Sequence, residues 1–406
     1  MEEPWLDKMW ISSRYNFDDD VVKQFSLPGK VRFYDVTLRD GEQMPGVVFR
    51  RDEKVKLAQA LDELGIHSIE AGMPAVSQED FDAVKEIANL GLNAKVKAFC
   101  RARKEDVDLA LKCDVNGVLI EVPTSDYLIQ YGYQWTKERV IDMSVEAASY
   151  AKAHGLYVTF FLIDSTRADP NYLRKLSVEV TEKARVDALA VVDTFGCASP
   201  QGFAHLVRMV KSWVNVPIEV HCHNDLGLAT ANSLAGVTAG AEVVHTNVNG
   251  IGERAGGAAT EEVAVALRIL YGIDTGIRYE KLFSVARMVE EMAGVKVSLG
   301  KPVVGEKAFA YEAGIPVMFC RRLRAKGLLK AGLGYLPEFV GNKFIVVLGK
   351  KSGRHSIEEG LERLGIKADD QQIAEILEKV KETSIKNKRA VTEDEFQAIV
   401  KEVLKK

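Results

Sequence analysis

Eight short apolar runs, each followed by an amphipathic stretch, constrain this chain more than any other feature. They are VRFYDVT (31–37), SIEAG (68–72), VKAFCR (96–101), GVLIEVP (117–123), YVTFFLI (157–163), ALAVVDT (188–194), IEVHCHN (218–224) and VVHTNVN (243–249). They are rich in Val, Ile and Phe and most lack strict alternation, the pattern of parallel strands buried on both faces. Between them lie stretches such as RDEKVKLAQALDELG (51–65) and SQEDFDAVKEIANLG (77–91), where apolar residues recur at helical spacing and a glycine follows as a stop. Eight strand–helix units in about 250 residues predict an α/β protein built on a (β/α)8 TIM barrel. A doubly wound open sheet is the competitor, but its first strand would lead into a glycine-rich phosphate loop, and TLRDGEQ (37–43) is not one.

The chain has 406 residues, 47% of them hydrophobic, enough for such a barrel and an appendage. Residues 1–29 read as an N-terminal extension, 30–298 as the catalytic barrel, and 299–406 as small C-terminal α/β or helical subdomains. A net charge of −4 gives no basic excess of the kind nucleic acid demands. The longest apolar runs are too short for a bilayer, and MEEPWLDKMW at the start lacks the apolar segment of a signal peptide. The five cysteines show no paired spacing, which fits reduced thiols and a cytoplasmic location.

Functional groups of a barrel collect where strands end at its C-terminal face. Arg39 and Asp40 follow strand one, Glu70 lies on strand two, and Arg101 closes strand three. Asp164 and Arg167 follow strand five, Thr194 closes strand six, and Asn247 and Asn249 end strand eight. At strand seven stands HCHND (221–225). Residues i and i+2 of a strand share a face, so His221 and His223 point one way and Cys222 the other. Two imidazoles on the inner rim can hold one divalent cation, and a carboxylate from another strand would complete the set. Asp40 is the best candidate. Two nitrogens and a carboxylate suit zinc, manganese, iron or magnesium without choosing among them. Beside them, the Arg39 fork would bind the oxygens of a 2-oxoacid and stabilise an alkoxide as it develops; a structural salt bridge is the plainer reading.

The motifs YDVTLRDGEQ, IEAGMPAVS, DTFGCASP, VHCHNDLGLATANSLAG and NGIGERAG together resemble the DRE-TIM metallolyases. Within them the chain is similar to the 2-isopropylmalate, homocitrate, citramalate and Re-citrate synthase branch, strongly over 31–300 and weakly through LGKKSGRHSI. The resemblance implies a metal-dependent acyltransferase. Acetyl-CoA and a 2-oxoacid join in an aldol/Claisen-type step, and the thioester is then hydrolysed. It implies Asp40, His221 and His223 as ligands of Mg, Mn or Zn, Arg39 as the catalytic arginine, and Gln43, Glu70 and Thr194 lining the substrate pocket. Asn224 and Asp225 would support the histidines, and a homodimer is expected.

Departures from the family pattern stand beside these matches. Ile163 occupies the position of a glutamate usually found on strand five. Leu128 replaces a histidine, Gly257 the asparagine after ERAG, and YEAGIP (311–316) stands where HESGIH is usual. The metal and oxoacid groups are present, and the usual proton-transfer groups are not. Tyr311, with its pKa lowered, or Glu312, Glu121 or Asp164 would have to serve as acid or base. The alternative is a carbon–carbon lyase or aldolase of the same superfamily that does not use acetyl-CoA. The short region after SGRHSI points to a dicarboxylic oxoacid, with Arg101 and Arg167 to meet its second carboxylate or else paired with Asp126 or Asp169. Residues 301–355 carry eleven Lys/Arg against three Asp/Glu, either to steer the phosphates of CoA or as a solvated basic surface.

Overall fold

The structure is a computed structural model describing residues 3–405. These form two compact units, one of Arg14–Val297 and one of the residues up to Ser13 together with those from Ser298 onward. The stretch expected as a single N-terminal extension is thus divided between them.

In the first unit eight parallel strands close into a barrel in chain order. They are β1 (Arg32–Asp35), β2 (Ser68–Gly72), β3 (Lys95–Arg101), β4 (Gly117–Pro123), β5 (Tyr157–Ile163), β6 (Ala188–Asp193), β7 (Ile218–Cys222) and β8 (Val243–Thr246). Closure comes from β1 against β8, with Phe33 opposite Val244 and Tyr34 opposite His245. The barrel expected from the apolar runs is therefore the one observed. Missing alternation has the reason given for it, because every residue of β6 and β7 is buried. The inner face packs Tyr34, Val36, Phe99, Leu119, Phe161, Ala190 and Val192 into one apolar cluster. Ser77 begins the helix Gln78–Ala88 by accepting the Asp80 N–H at 3.0 Å, a cap whose loss costs about 1 kcal/mol.

Four strands stop short of their apolar runs, and β1 shows why. The Val36 carbonyl accepts the N–H groups of Arg39, Asp40 and Gly41, at 3.2, 2.8 and 3.1 Å. Asp35 meanwhile takes the N–H and hydroxyl of Thr37 at 2.9 and 3.0 Å. The chain is pulled into a turn that sets Arg39 and Asp40 on the barrel mouth.

In the second unit β9 (Ala310–Tyr311) pairs in parallel with β10 (Ile345–Val346). Leu348, Ile357, Leu361, Ile376, Val380, Phe396 and Val400 make its core. Gly360 is required there, since a Cβ would come within 2.7 Å of the Phe396 ring. Part of the basic stretch 301–355 is answered inside this unit. Arg321 pairs with Glu359 and Glu362 at 2.6 and 2.5 Å, and Arg324 with Glu359 at 2.5 Å. Among the described residues no helix is long and apolar enough to cross a membrane.

Candidate active site

Three side chains from opposite ends of the barrel sequence meet at its mouth. Asp40, His221 and His223 each offer a ligand atom within 4.8 Å of the others, and all three are buried. His221 and His223 approach Nε2 to Nε2 at 3.2 Å, and His223 Nε2 stands 3.9 Å from Asp40 Oδ1. Although β7 ends at Cys222, His223 N–H donates to the Asp193 carbonyl at 3.1 Å, which keeps the chain extended and both rings on one side.

The set fits a divalent cation. Two imidazoles bound to one ion at about 2.0–2.1 Å lie about 3 Å apart, as these do. Burial, then His223, His245 and Arg39, push the His221 pKa well below its ordinary value, so the ring is neutral and has a lone pair to give. The second ring nitrogen of His223 faces the Gly256 carbonyl at 3.2 Å, which orients the imidazole. Asp40 Oδ2 accepts from Asn247 Nδ2 at 2.9 Å.

Sequence reasoning missed the role of Asn247, and the signal that finds it is Gly257. A Cβ at 257 would lie 2.5 Å from Asn247 Oδ1. Glycine at the position of the usual asparagine leaves room for an amide that arrives from the end of β8 instead. The loop 249–256 also presses on the cluster, since a Cβ on Gly252 would lie 2.8 Å from Asp40 Oδ2. Arg254 fastens this loop through Asp225, at 2.8 and 3.1 Å, and the Thr194 carbonyl at 2.5 Å. Asp225 is therefore an anchor for the loop, and Asn224 accepts from Ala229 N at 3.1 Å; among the described residues neither side chain hydrogen-bonds to the histidines it was expected to support.

Arg39 joins the cluster to a pocket. Its Nε donates to Glu70 at 2.5 Å, its Nη1 to Gln43 at 3.1 Å, and its guanidinium lies 4.3 Å from the centre of the Phe99 ring. Nη1 is 3.6 Å from Asp40. Burial works against the charge, but Glu70 and Asp40 outweigh it and raise the pKa further. Its Nη2 is buried with no protein partner. Glu70, fully buried, also takes the Tyr34 hydroxyl at 3.4 Å, so it fixes the arginine. A cavity of about 390 Å³ opens beside Arg39 and Gln43, walled by Leu38, Val47, Met73 and Phe99. Across the mouth, the Thr194 hydroxyl accepts from Asp164 N at 2.8 Å and keeps its own proton to donate.

Other expected residues are committed elsewhere. Arg101 grips Asp106 with Nε and Nη2, both at 2.8 Å, and Arg167 grips Asp164 at 2.8 and 2.7 Å. Neither partner is Asp126 or Asp169, and the Nε–Nη2 edge of each guanidinium is taken. Asp164 also takes the Ser125 hydroxyl at 2.5 Å. In the second unit Tyr311 donates to the Gly332 carbonyl at 3.1 Å, and burial raises its pKa, opposite to what a base requires. Glu312 accepts from Lys351 N at 3.0 Å. His245 points into the barrel, where its Nε2 meets Glu219 at 2.7 Å.

Known proteins resemble this chain over most of its length. The HMGL-like family model matches residues 30–289, and the homocitrate synthase post-HMGL domain-like model matches 303–388. Homocitrate synthase AksA of Methanocaldococcus jannaschii is 44% identical over 381 residues, 93% of this chain and 91% of that protein. A probable 2-isopropylmalate synthase of Archaeoglobus fulgidus is 43% identical over 371 residues, 90% of this chain and 72% of the relative. The crystal structure of the HMG-CoA lyase of Bacillus subtilis superposes with a TM-score of 0.61 at 21% identity, covering 67% of this chain and 96% of that one, a likeness of fold.

Proposed function

This chain belongs to the HMGL-like family, in the branch of the homocitrate, isopropylmalate and citramalate synthases, and from that membership we propose that it condenses acetyl-CoA with a 2-oxoacid and releases free CoA. The observation that carries the reading is the unpaired, buried Nη2 of Arg39 beside the Asp40–His221–His223 cluster. An orphaned charged donor is costly unless a ligand meets it.

Asp40, His221 and His223 would hold the cation. When bound, such an ion polarises the oxo group of the substrate and favours negative charge on its oxygen. Arg39 donates from Nη2 to the same oxygen, and the donor strengthens as charge develops there. Glu70 and Phe99 hold the guanidinium so that it need not reorganise during the reaction. Thr194 has a hydroxyl proton for the substrate carboxylate. Met73, Phe99, Phe161 and Ile163 line the inner face with apolar surface, and the forks of Arg101 and Arg167 are taken. These features favour an oxoacid whose side chain is small or apolar.

The test is thiol release. Protein loaded with Mn²⁺ or Mg²⁺ is given acetyl-CoA and a panel of 2-oxoacids, including pyruvate, 2-oxoisovalerate, oxaloacetate and 2-oxoglutarate, and free CoA is followed. Release with one oxoacid, lost in His221→Ala, supports the synthase. No release with any of them favours a carbon–carbon lyase that never handles acetyl-CoA, a reading kept alive by the apolar Ile163 and the raised pKa of Tyr311.

A further inference from the structure

A synthase of this kind must take a proton from carbon and return one to oxygen, and most carboxylates at the barrel mouth are engaged. Asp164 holds Arg167 and Ser125, Glu70 holds Arg39, and Glu219 holds His245. Glu253 pairs with Arg254 at 3.2 Å. One carboxylate on the inner face is left. Glu121 lies two residues beyond Leu119, a member of the inner apolar cluster, and so shares its face. Among the described residues it makes no hydrogen bond or ion pair, and it alone on β4 is incompletely buried.

Its height in the barrel is set by strand pairing. Glu121 is level with Arg101 on β3 and Phe161 on β5. The Phe161 ring centre is 5.1 Å from that of His221, and the guanidinium of Arg39 rests on Phe99, the neighbour of Leu119 one step below. The carboxyl thus stands in the layer that contains the metal histidine and the oxoacid arginine.

Resting on the synthase reading, we propose that Glu121 is the acid–base residue of the condensation. Its carboxylate takes a proton from the acetyl methyl carbon of acetyl-CoA as the C–H pair moves into an enolate. That enolate carbon attacks the oxo carbon, forming the new C–C bond, and the C=O pair moves onto oxygen. The proton on Glu121 then passes to that alkoxide, which returns the carboxylate to its starting state. Overall one C–H and one C=O π bond are exchanged for one C–C and one O–H bond, with no oxidant or reductant.

Charge around the group suits the cycle. Burial raises the Glu121 pKa to about 7, Arg39 and Arg101 work the other way, and Glu70 and Glu253 add to the rise. Tyr133 also faces it, and burial, with a smaller contribution from the glutamate, raises that phenol's pKa too. A carboxyl near neutrality accepts and gives protons with little loss in either direction.

The experiment compares wild type, Glu121→Gln and Glu121→Asp in thiol release, with bound metal measured on each. Glu121→Gln is expected to lose about 100-fold or more in kcat with KM for the oxoacid changed less than about threefold, the range of a lost acid–base group. Glu121→Asp should recover part of kcat and move the acidic limb of its pH profile, and it decides the matter if Glu121→Gln does not fold. Unchanged kcat in Glu121→Gln, a change confined to KM, or an acidic limb in Glu121→Asp identical to that of wild type would each overturn the proposal. Absence of CoA release from wild type is the separate result that overturns the synthase reading, and the proposal with it.

Discussion

Replacing Arg39 by lysine separates the catalytic from the structural work of one side chain. The guanidinium makes two polar contacts, to Glu70 at 2.5 Å and Gln43 at 3.1 Å, rests 4.3 Å from the Phe99 ring centre, and keeps Nη2 for the substrate. A lysine retains the charge and can reach Glu70, but it has no planar fork to reach Glu70 and the substrate together. Losing the stacking and one exposed hydrogen bond lowers stability by about 1–2 kcal/mol. Losing a donor aimed at the developing alkoxide raises the barrier by about 2.7–4 kcal/mol, or about 10²–10³ in kcat. Alanine differs in kind, because it leaves the fully buried Glu70 carboxylate with only the Tyr34 hydroxyl at 3.4 Å. That uncompensated charge costs about 3–5 kcal/mol. Steady-state CoA release gives kcat, and urea unfolding gives stability. A kcat within tenfold of wild type in Arg39→Lys, or equal destabilisation by lysine and alanine, would refute the reasoning.

Chelation with EDTA, or His221→Ala, should abolish CoA release while leaving the barrel folded; isothermal titration of the apoprotein with Mn²⁺ should show binding in wild type and none in the variant. Asn247→Ala should weaken metal binding about 10–100-fold by freeing Asp40 Oδ2, and Asn247→Ala with Gly257→Asn should recover part of it, since the space beside 257 is then open; equal affinities in wild type and Asn247→Ala would sink this. Burial raises the Asp35 pKa from 3.8 to about 7. Its folded form therefore binds a proton that the unfolded chain has already lost between those values. Its contribution to stability is complete below pH 3.8 and falls as pH rises to about 7, by up to about 4 kcal/mol. Asp35→Asn should remove that slope from urea midpoints measured between pH 4.5 and 8, and parallel profiles for the two proteins would contradict it.

The barrel was legible because burial on both faces writes itself as unbroken apolar runs, and eight runs leave few alternatives. The metal triad was legible for a different reason. Residues at i and i+2 of a strand must share a face, and Asp40 follows β1, whose end reaches the same barrel mouth two strands round from β7. What sequence could not convey was who engages whom. Arg101 and Arg167 were read as meeting the substrate or pairing with Asp126 or Asp169, yet each has a nearer acid in sequence, Asp106 five residues after Arg101 and Asp164 three before Arg167, that binds it at 2.7–2.8 Å. Tyr311 was considered as a base because it stands where the family usually has a histidine, and its environment shifts its pKa the wrong way. Glu121 was one name among several until the partners of the others were known.

His245 and His221 make the same point with a single residue type. Both are buried inside the barrel with ring centres 5.5 Å apart. His245 has a carboxylate 2.7 Å away in Glu219, which also faces Lys97 at 3.9 Å; burial opposes the Glu219 charge, but Lys97 and His245 outweigh it and hold its pKa below the usual range. In that triad the Glu219 carboxylate is answered by Lys97 and by the His245 Nε2. His221 has instead a second imidazole at 3.2 Å and no carboxylate bond of its own, so burial leaves it neutral and its neighbours leave it able to bind a cation. The chemistry therefore divides between two adjacent histidines by what faces them: a glutamate makes one a structural member, and another histidine with Asp40 makes the other a candidate ligand. The inner surface of this barrel carries both arrangements at once, and the boundary between them is the Phe161 ring, which lies 5.1 Å from His221 and 6.0 Å from His245.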